Sequence, residues 1–227
     1  DLPLSRGLGD VYKRQHNRYE KLKTVLNDPS EKEIMLSLSQ QFNDEQMKSV
    51  MKSEFTSLPT MFQSKEMLED FKSPLSYMMA IDFQTYMLDD ILQKVDRATM
   101  TNSLEGREPM LDHRILEFAA QIPDEYKYQN GIKKRILREI THDYIPKELL
   151  DRPKMGFAIP IAKWLKNELR DHVEEYLNED RIEKQGIFNW EFITKLKMDF
   201  YKGRKEYDSK LWYFLMFQMW YERWMEN

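Results

Sequence analysis

From about residue 18 to its end, this chain repeats apolar side chains at three- and four-residue spacing, a period that commits it to helices. Its glycine usage agrees. Seven glycines in 227 residues are few for hairpin turns or for loops that wrap phosphates. Ser30 with Glu33, and Asn43 with Gln46, have capping-box spacing, so two short helices are expected to start there. Ser73-Pro74 reads as an N-cap followed by proline in the first turn. The helix behind it carries Met79, Phe83, Met87, Ile91 and Val95 at four-residue intervals, one apolar stripe about four turns long. Another is expected from near Asp112, with Ile115, Phe118, Ala119 and Ile122 facing inward until Pro123 stops it. Further helices are expected over 132–144, 161–177, 190–200 and 208–225. No alternating strand and no internal repeat stands out, and the expected fold class is all-α.

Residues 1–15 contain Gly7 and Gly9 but no period, and read as a non-native, adapter-derived end or a disordered tail. The chain carries 39 acidic and 35 basic side chains, a net charge of -4, which supplies no general attraction for nucleic acid or anionic membrane. Neither partner is expected. No apolar run reaches the roughly 18 residues of a spanning helix, and Gln218 interrupts the richest stretch. The first residues lack the apolar core of a secretory leader. Without cysteine there is no disulfide, thiolate nucleophile or Cys-ligated metal, a composition suited to a reducing cytoplasm. His16, His113, His142 and His172 lack metal-ligand spacing, so no zinc site is expected and no metal-ligating residue is assigned. Trp212, Tyr213, Phe217, Trp220 and Trp224 trace a helical stripe, read first as core packing and second as a protein interface.

Charge concentrates in residues 92–114, LQKVDRATMTNSLEGREPMLDHR, beside apolar anchors expected to be buried: Val95, Met100, Leu104, Met110 and Leu111. Buried charges need partners, so Asp96, Glu105 and Asp112 are expected to pair with Arg97, Arg107 and Arg114. Such a network either fixes a turn between helices or forms a polar site for a charged small molecule. In residues 151–160, DRPKMGFAIP, proline and glycine bracket Lys154. That loop either presents a point charge to a phosphate or simply joins two helices.

Together these segments resemble the asparagine synthetase family. KVDRATMTNSLEGREPMLDHRILEFA is similar to its K-x-D-R-x-[ST]-M-x-x-x-[LV]-E-x-R-x-P-[FM]-L-D-x-x-[LI]-x-[ED]-F-A pattern, KRILR to K-x-x-L-R, and DRPKMGFAIPIAKWLK to R-x-K-x-G-F-x-x-P-x-x-x-W-L. The order and spacing of all three agree. His16-Asn17-Arg18-Tyr19 is similar to the residues just after the family's L-S-G-x-G-x-D-E-L-F-x-G-Y segment.

The resemblance implies that residues 16–227 are the helical C-terminal portion of an α/β synthetase domain of the adenine-nucleotide α-hydrolase-like, or PP-loop ATPase, type. It also implies a reaction. A glutaminase domain releases ammonia, ATP and aspartate form a β-aspartyl-adenylate with Mg2+, and ammonia displaces AMP to give asparagine. On that reading Lys154 is the catalytic position, near the phosphates. Arg97, Glu105 and Arg107 line or brace the substrate side, and Lys134 and Arg138 either line the pocket or pair with helix charges. Asp96, Asp112, Gly156 and Phe157 stand near the site as structural residues, Asp112 as an N-cap. A homodimer is compatible with the family. Departures exist too. Gly106 and Glu108 replace the hydrophobic residues that commonly flank the arginine, and the S-G-G-x-D-S phosphate loop is absent from these residues, which by themselves are expected to be inactive. Amidation of another carboxylate (β-lactam synthetase-like or of a surface polysaccharide) and a non-catalytic helical interaction module are the alternatives.

Overall fold

A computed structural model describes residues 22, 26, 29–52, 59–64, 71, 73–150, 159–204 and 207–226. They fall into two compact units, one made of the described residues up to 52 and from 159 onward, the other of residues 59–150. The 1–15 tail lies outside the described residues.

In the first unit the expected caps form. The Ser30 hydroxyl accepts from the Glu33 N–H at 3.3 Å and starts helix Glu31–Ser39. A reciprocal box of Asn43 and Gln46 starts Asp44–Val50. Trp190–Tyr201 and Asp208–Met225 stand close to their expected bounds. The expected helix over 161–177 is instead two, Ile161–Lys166 and Arg170–Tyr176. No proline or glycine breaks it. The Asn167 side chain turns back to the Lys163 carbonyl at 2.9 Å, an end cap that competes with continued helix. Glu179–Gln185 closes on Gly186 at φ 71, the left-handed residue of a glycine C-cap.

The core of this unit comprises Val50, Leu165, Val173, Leu177, Ile182, Phe188, Ile193, Leu196, Phe200, Leu211, Phe214 and Leu215. Its early segment is stitched to the late helices by backbone. Met51 bridges Phe188, the Lys52 N–H reaches the Ile187 carbonyl at 3.0 Å, and the Asn189 N–H reaches that of Val50 at 2.8 Å. Two buried polar side chains are satisfied. Lys197 donates to Glu174 at 2.7 Å and to the Leu177 carbonyl at 2.8 Å, and Gln218 exchanges two amide hydrogen bonds with Gln185. The aromatic stripe divides: Trp212 and Phe217 pack against this core, while Tyr213, Trp220 and Trp224 are about half exposed or more. The face of that helix that is fully buried is instead Leu211, Phe214, Leu215 and Gln218.

In the second unit, Ser73 caps helix Pro74–Asp82 as expected, its hydroxyl accepting from the Ser76 N–H at 3.1 Å. The helix then widens into ten π-helical residues, Phe83–Leu92, before resuming as Gln93–Met100. A π-turn closes i→i+5 rather than i→i+4, so a stripe extrapolated at α-helical pitch drifts from Phe83 onward. Tyr77 and Ile81 are buried, whereas Met79, Phe83 and Ile91 of the expected stripe are exposed. His113–Gln121 starts at Asp112 and ends before Pro123, as expected, but Ile115 and Phe118 face solvent rather than inward. The expected helix over 132–144 begins late. Ile132–Lys133 pairs antiparallel with Tyr128–Gln129, and helix Arg135–His142 follows. The fold among the described residues is therefore mostly helical, as expected, with one short antiparallel hairpin of two-residue strands added to it.

Candidate functional site

The charged segment starts on helix Gln93–Met100, which ends through its own polar side chains. Thr101 Oγ1 donates to the Arg97 carbonyl at 2.6 Å and Asn102 Nδ2 to that of Ala98 at 3.2 Å. Ser103 turns left-handed at φ 57, and the Leu104 N–H closes back on the Thr99 carbonyl at 3.1 Å, a C-terminal motif built on serine rather than glycine. Residues 104–108 run back without regular structure. A Cβ added at Gly106 would touch Val95 and Thr99 at 3.7 Å, an ordinary contact, so the larger residue usual there would rest on this helix.

Two of the expected ion pairs form, Arg107 with Glu105 at 2.9 Å and Arg114 with Asp112 at 2.8 Å. Among the described residues Asp96 and Arg97 make no such pair, and Lys94 pairs with Asp90 instead. The network is not buried. The Arg107 side chain is 82% exposed, and Met100, Leu104 and Met110 are exposed where anchors were expected. Solvent screens these pairs, so they orient side chains more than they stabilise the fold. Asp112 is the expected N-cap: Oδ1 accepts from the Arg114 N–H at 2.9 Å, while the Arg114 guanidinium grips both carboxylate oxygens. The guanidinium first, and the N–H second, hold the Asp112 carboxyl below the usual aspartate range. An open hollow of about 930 Å³ lies here, lined by Arg107, Glu108, Pro109, Leu111, Asp112, Arg114, Ile115 and Phe118. It brings Arg107 and Asp112 together but is not lined by Asp96, Arg97 or Glu105.

Lys134 and Arg138 follow the hairpin, whose two-residue turn is Asn130 at φ 51 and Gly131 at φ 83. Asn-Gly is the residue pair such a turn prefers, because both positions need positive φ. That dipeptide was the signal that could have revealed the hairpin from the residues alone. Lys134 itself is left-handed, φ 56 and ψ 41, at the N-cap of helix Arg135–His142. For a residue with a side chain this costs roughly 1–2 kcal/mol, which neighbouring contacts must offset. They converge on Arg135, a residue the motif reading passed over. Its Nε donates to Glu139 at 2.8 Å, its Nη1 donates to the Glu125 carbonyl at 3.2 Å and to Gln129, and it lies over the Tyr126 ring. Lys134 and Arg138 are exposed.

Lys154, Gly156 and Phe157 lie outside the described residues. His113 is exposed, and His172 stacks on Tyr176. Among the described residues no three His, Cys, Asp or Glu side chains converge as a metal cage. No helix among them is long and apolar enough to cross a membrane.

A family model described as asparagine synthase matches residues 6–222. The chain is 36% identical over 149 residues to asparagine synthetase (glutamine-hydrolyzing) 1 of Bacillus subtilis (strain 168), an alignment covering 66% of this chain and 23% of that protein. It is 39% identical over 100 residues to the asparagine synthetase (glutamine-hydrolyzing) of Cricetulus griseus, covering 41% of this chain and 18% of the relative. With the Homo sapiens protein of the same name it shares 41% identity over 93 residues, covering 40% and 16%. No solved structure matches it. The chain belongs to the asparagine synthase family. It spans less than a quarter of the length of these curated relatives.

Proposed function

We propose that residues 16–227 are the helical C-terminal part of the synthetase domain, of PP-loop ATPase type, in a cytoplasmic, glutamine-hydrolysing asparagine synthetase. One observation carries this reading: the family match spans 6–222 and contains all three ordered motifs. In the reaction, a β-carboxylate oxygen of aspartate attacks the α-phosphorus of ATP and pyrophosphate leaves. Ammonia released from glutamine then attacks the acyl carbon of the β-aspartyl-adenylate, and AMP departs.

Negative charge accumulates on the leaving pyrophosphate, so a cation aimed at it lowers the barrier. Lys154 is assigned that part. Arg97, Arg107, Lys134 and Arg138 supply further positive charge for anionic substrates, and Glu105 orients Arg107 through their 2.9 Å pair. Asp112 holds Arg114 and the start of its helix. No step is assigned to magnesium, whose main ligands the family reading puts upstream of these residues. These 227 residues alone are not expected to turn over, because they lack the S-G-G-x-D-S loop.

In the full-length protein that carries this segment, Lys154→Ala should cut ATP- and aspartate-dependent pyrophosphate release roughly 10²–10³-fold while glutaminase turnover persists. Undiminished pyrophosphate release would remove Lys154 from the chemistry. A second reading, amidation of a different carboxylate, draws on Glu108, which lines the same hollow as Arg107 and sets a negative charge against an anionic acceptor. Pyrophosphate release driven by another acid in preference to aspartate would favour it.

A further inference from the structure

Lys134 is the only one of the site residues assigned above whose backbone is strained among the described residues, and a strained residue persists only where its surroundings over-determine it. The hairpin turn precedes it by two residues and helix Arg135–His142 begins immediately after it. The Arg135 side chain joins what lies before the turn to what lies after it. It reaches back to the Glu125 carbonyl, the Tyr126 ring and the Gln129 side chain, and forward one helical turn to Glu139. Its side chain is 29% exposed, shielded enough for a planar fork of donors to hold geometry.

We propose that Arg135 is a positioning residue for ATP binding: its clamp holds Lys134 left-handed, which aims the Lys134 ammonium at the phosphates. This rests on the reading that Lys134 meets ATP. Without the clamp, the backbone at Lys134 relaxes toward a right-handed conformation, and the direction in which its side chain leaves the chain changes with it. The charge remains on the protein but is no longer aimed.

The test uses the full-length protein, with pyrophosphate release measured against ATP concentration and melting temperature recorded for each variant. Arg135→Ala should raise the KM for ATP about tenfold and leave kcat within about twofold, since the loss is one of aim rather than of chemistry. Gln129→Ala removes one partner of the clamp from an exposed position and should shift the same KM about two- to threefold without risk to folding. The double variant Lys134→Ala/Arg135→Ala should be no worse than Lys134→Ala alone, because Arg135 acts only through Lys134. An Arg135→Ala or Gln129→Ala enzyme with wild-type KM for ATP overturns the proposal, as does a double variant whose effects multiply. If Lys134→Ala itself leaves the KM unchanged, the reading of Lys134 as an ATP ligand fails and the positioning role falls with it, an outcome distinct from a silent Arg135.

Discussion

Asp112 uses one carboxylate for two tasks. Oδ1 caps the helix through the Arg114 N–H, and both oxygens hold the Arg114 guanidinium. Because these contacts favour the charged form, the folded carboxyl titrates below its ordinary value of about 3.9. The sign follows: the unfolded state binds its proton first as pH falls. Asp112 therefore contributes its full stabilisation above the ordinary aspartate pKa, and loses it as pH drops through the lower folded value. In an NMR titration the Asp112 midpoint should sit below that of a free aspartate, and Arg114→Ala should move it up. A midpoint indifferent to Arg114 would show that the guanidinium does not hold it. Asp112 was legible as a cap from its place before an apolar run, since capping is a matter of a few adjacent residues. The strain at Lys134 was not legible, because its cause is a guanidinium reaching ten residues back in the chain.

At the scale of elements, the helix from Pro74 to Met100 raises a question of pitch. Its ends obey local rules, serine and proline at one and threonine, asparagine and serine at the other. Its middle does not, as Phe83–Leu92 adopts a turn rarely sustained for ten residues. Such a segment should open more readily than the α-helical turns beside it. In hydrogen-exchange mass spectrometry, the amides of Phe83–Leu92 should exchange sooner than those of Pro74–Asp82. Slower exchange would mean the π-turns are the stable part of the helix. The four-residue spacing of Met79, Phe83, Met87 and Ile91 reported that one side is apolar; it carried no information on whether that side is covered. Conversely, Asn130-Gly131 carried its hairpin in two adjacent residues, set within a stretch of helical period.

For the molecule as a whole, the early and late parts of the chain share one core. Phe42 meets Phe214 edge-on at 5.7 Å, Phe214 meets Phe188 at 5.1 Å, and Lys52 pairs with Glu183 across 131 residues. Phe214→Ala should destabilise this unit by about 3–5 kcal/mol, while Tyr213→Ala, one residue away and half exposed, should cost less than about 1. Equal shifts of the two in urea denaturation would mean that Phe214 does not anchor the core.

What the amino-acid order determined alone were the properties set by neighbours: where helices start, where proline and serine end them, and the motif spacing that marks the family. Tertiary structure decided which apolar faces are covered, so that Leu211, Phe214 and Leu215 went inside while Trp220, Phe118 and Met100 stayed out. It also exposed the Arg107–Glu105 pair, which the apolar residues around it had suggested would be buried. The reason is physical. A helix's polarity pattern is written within its own few turns, whereas burial depends on which distant segment packs against it, and period alone does not say which one that is.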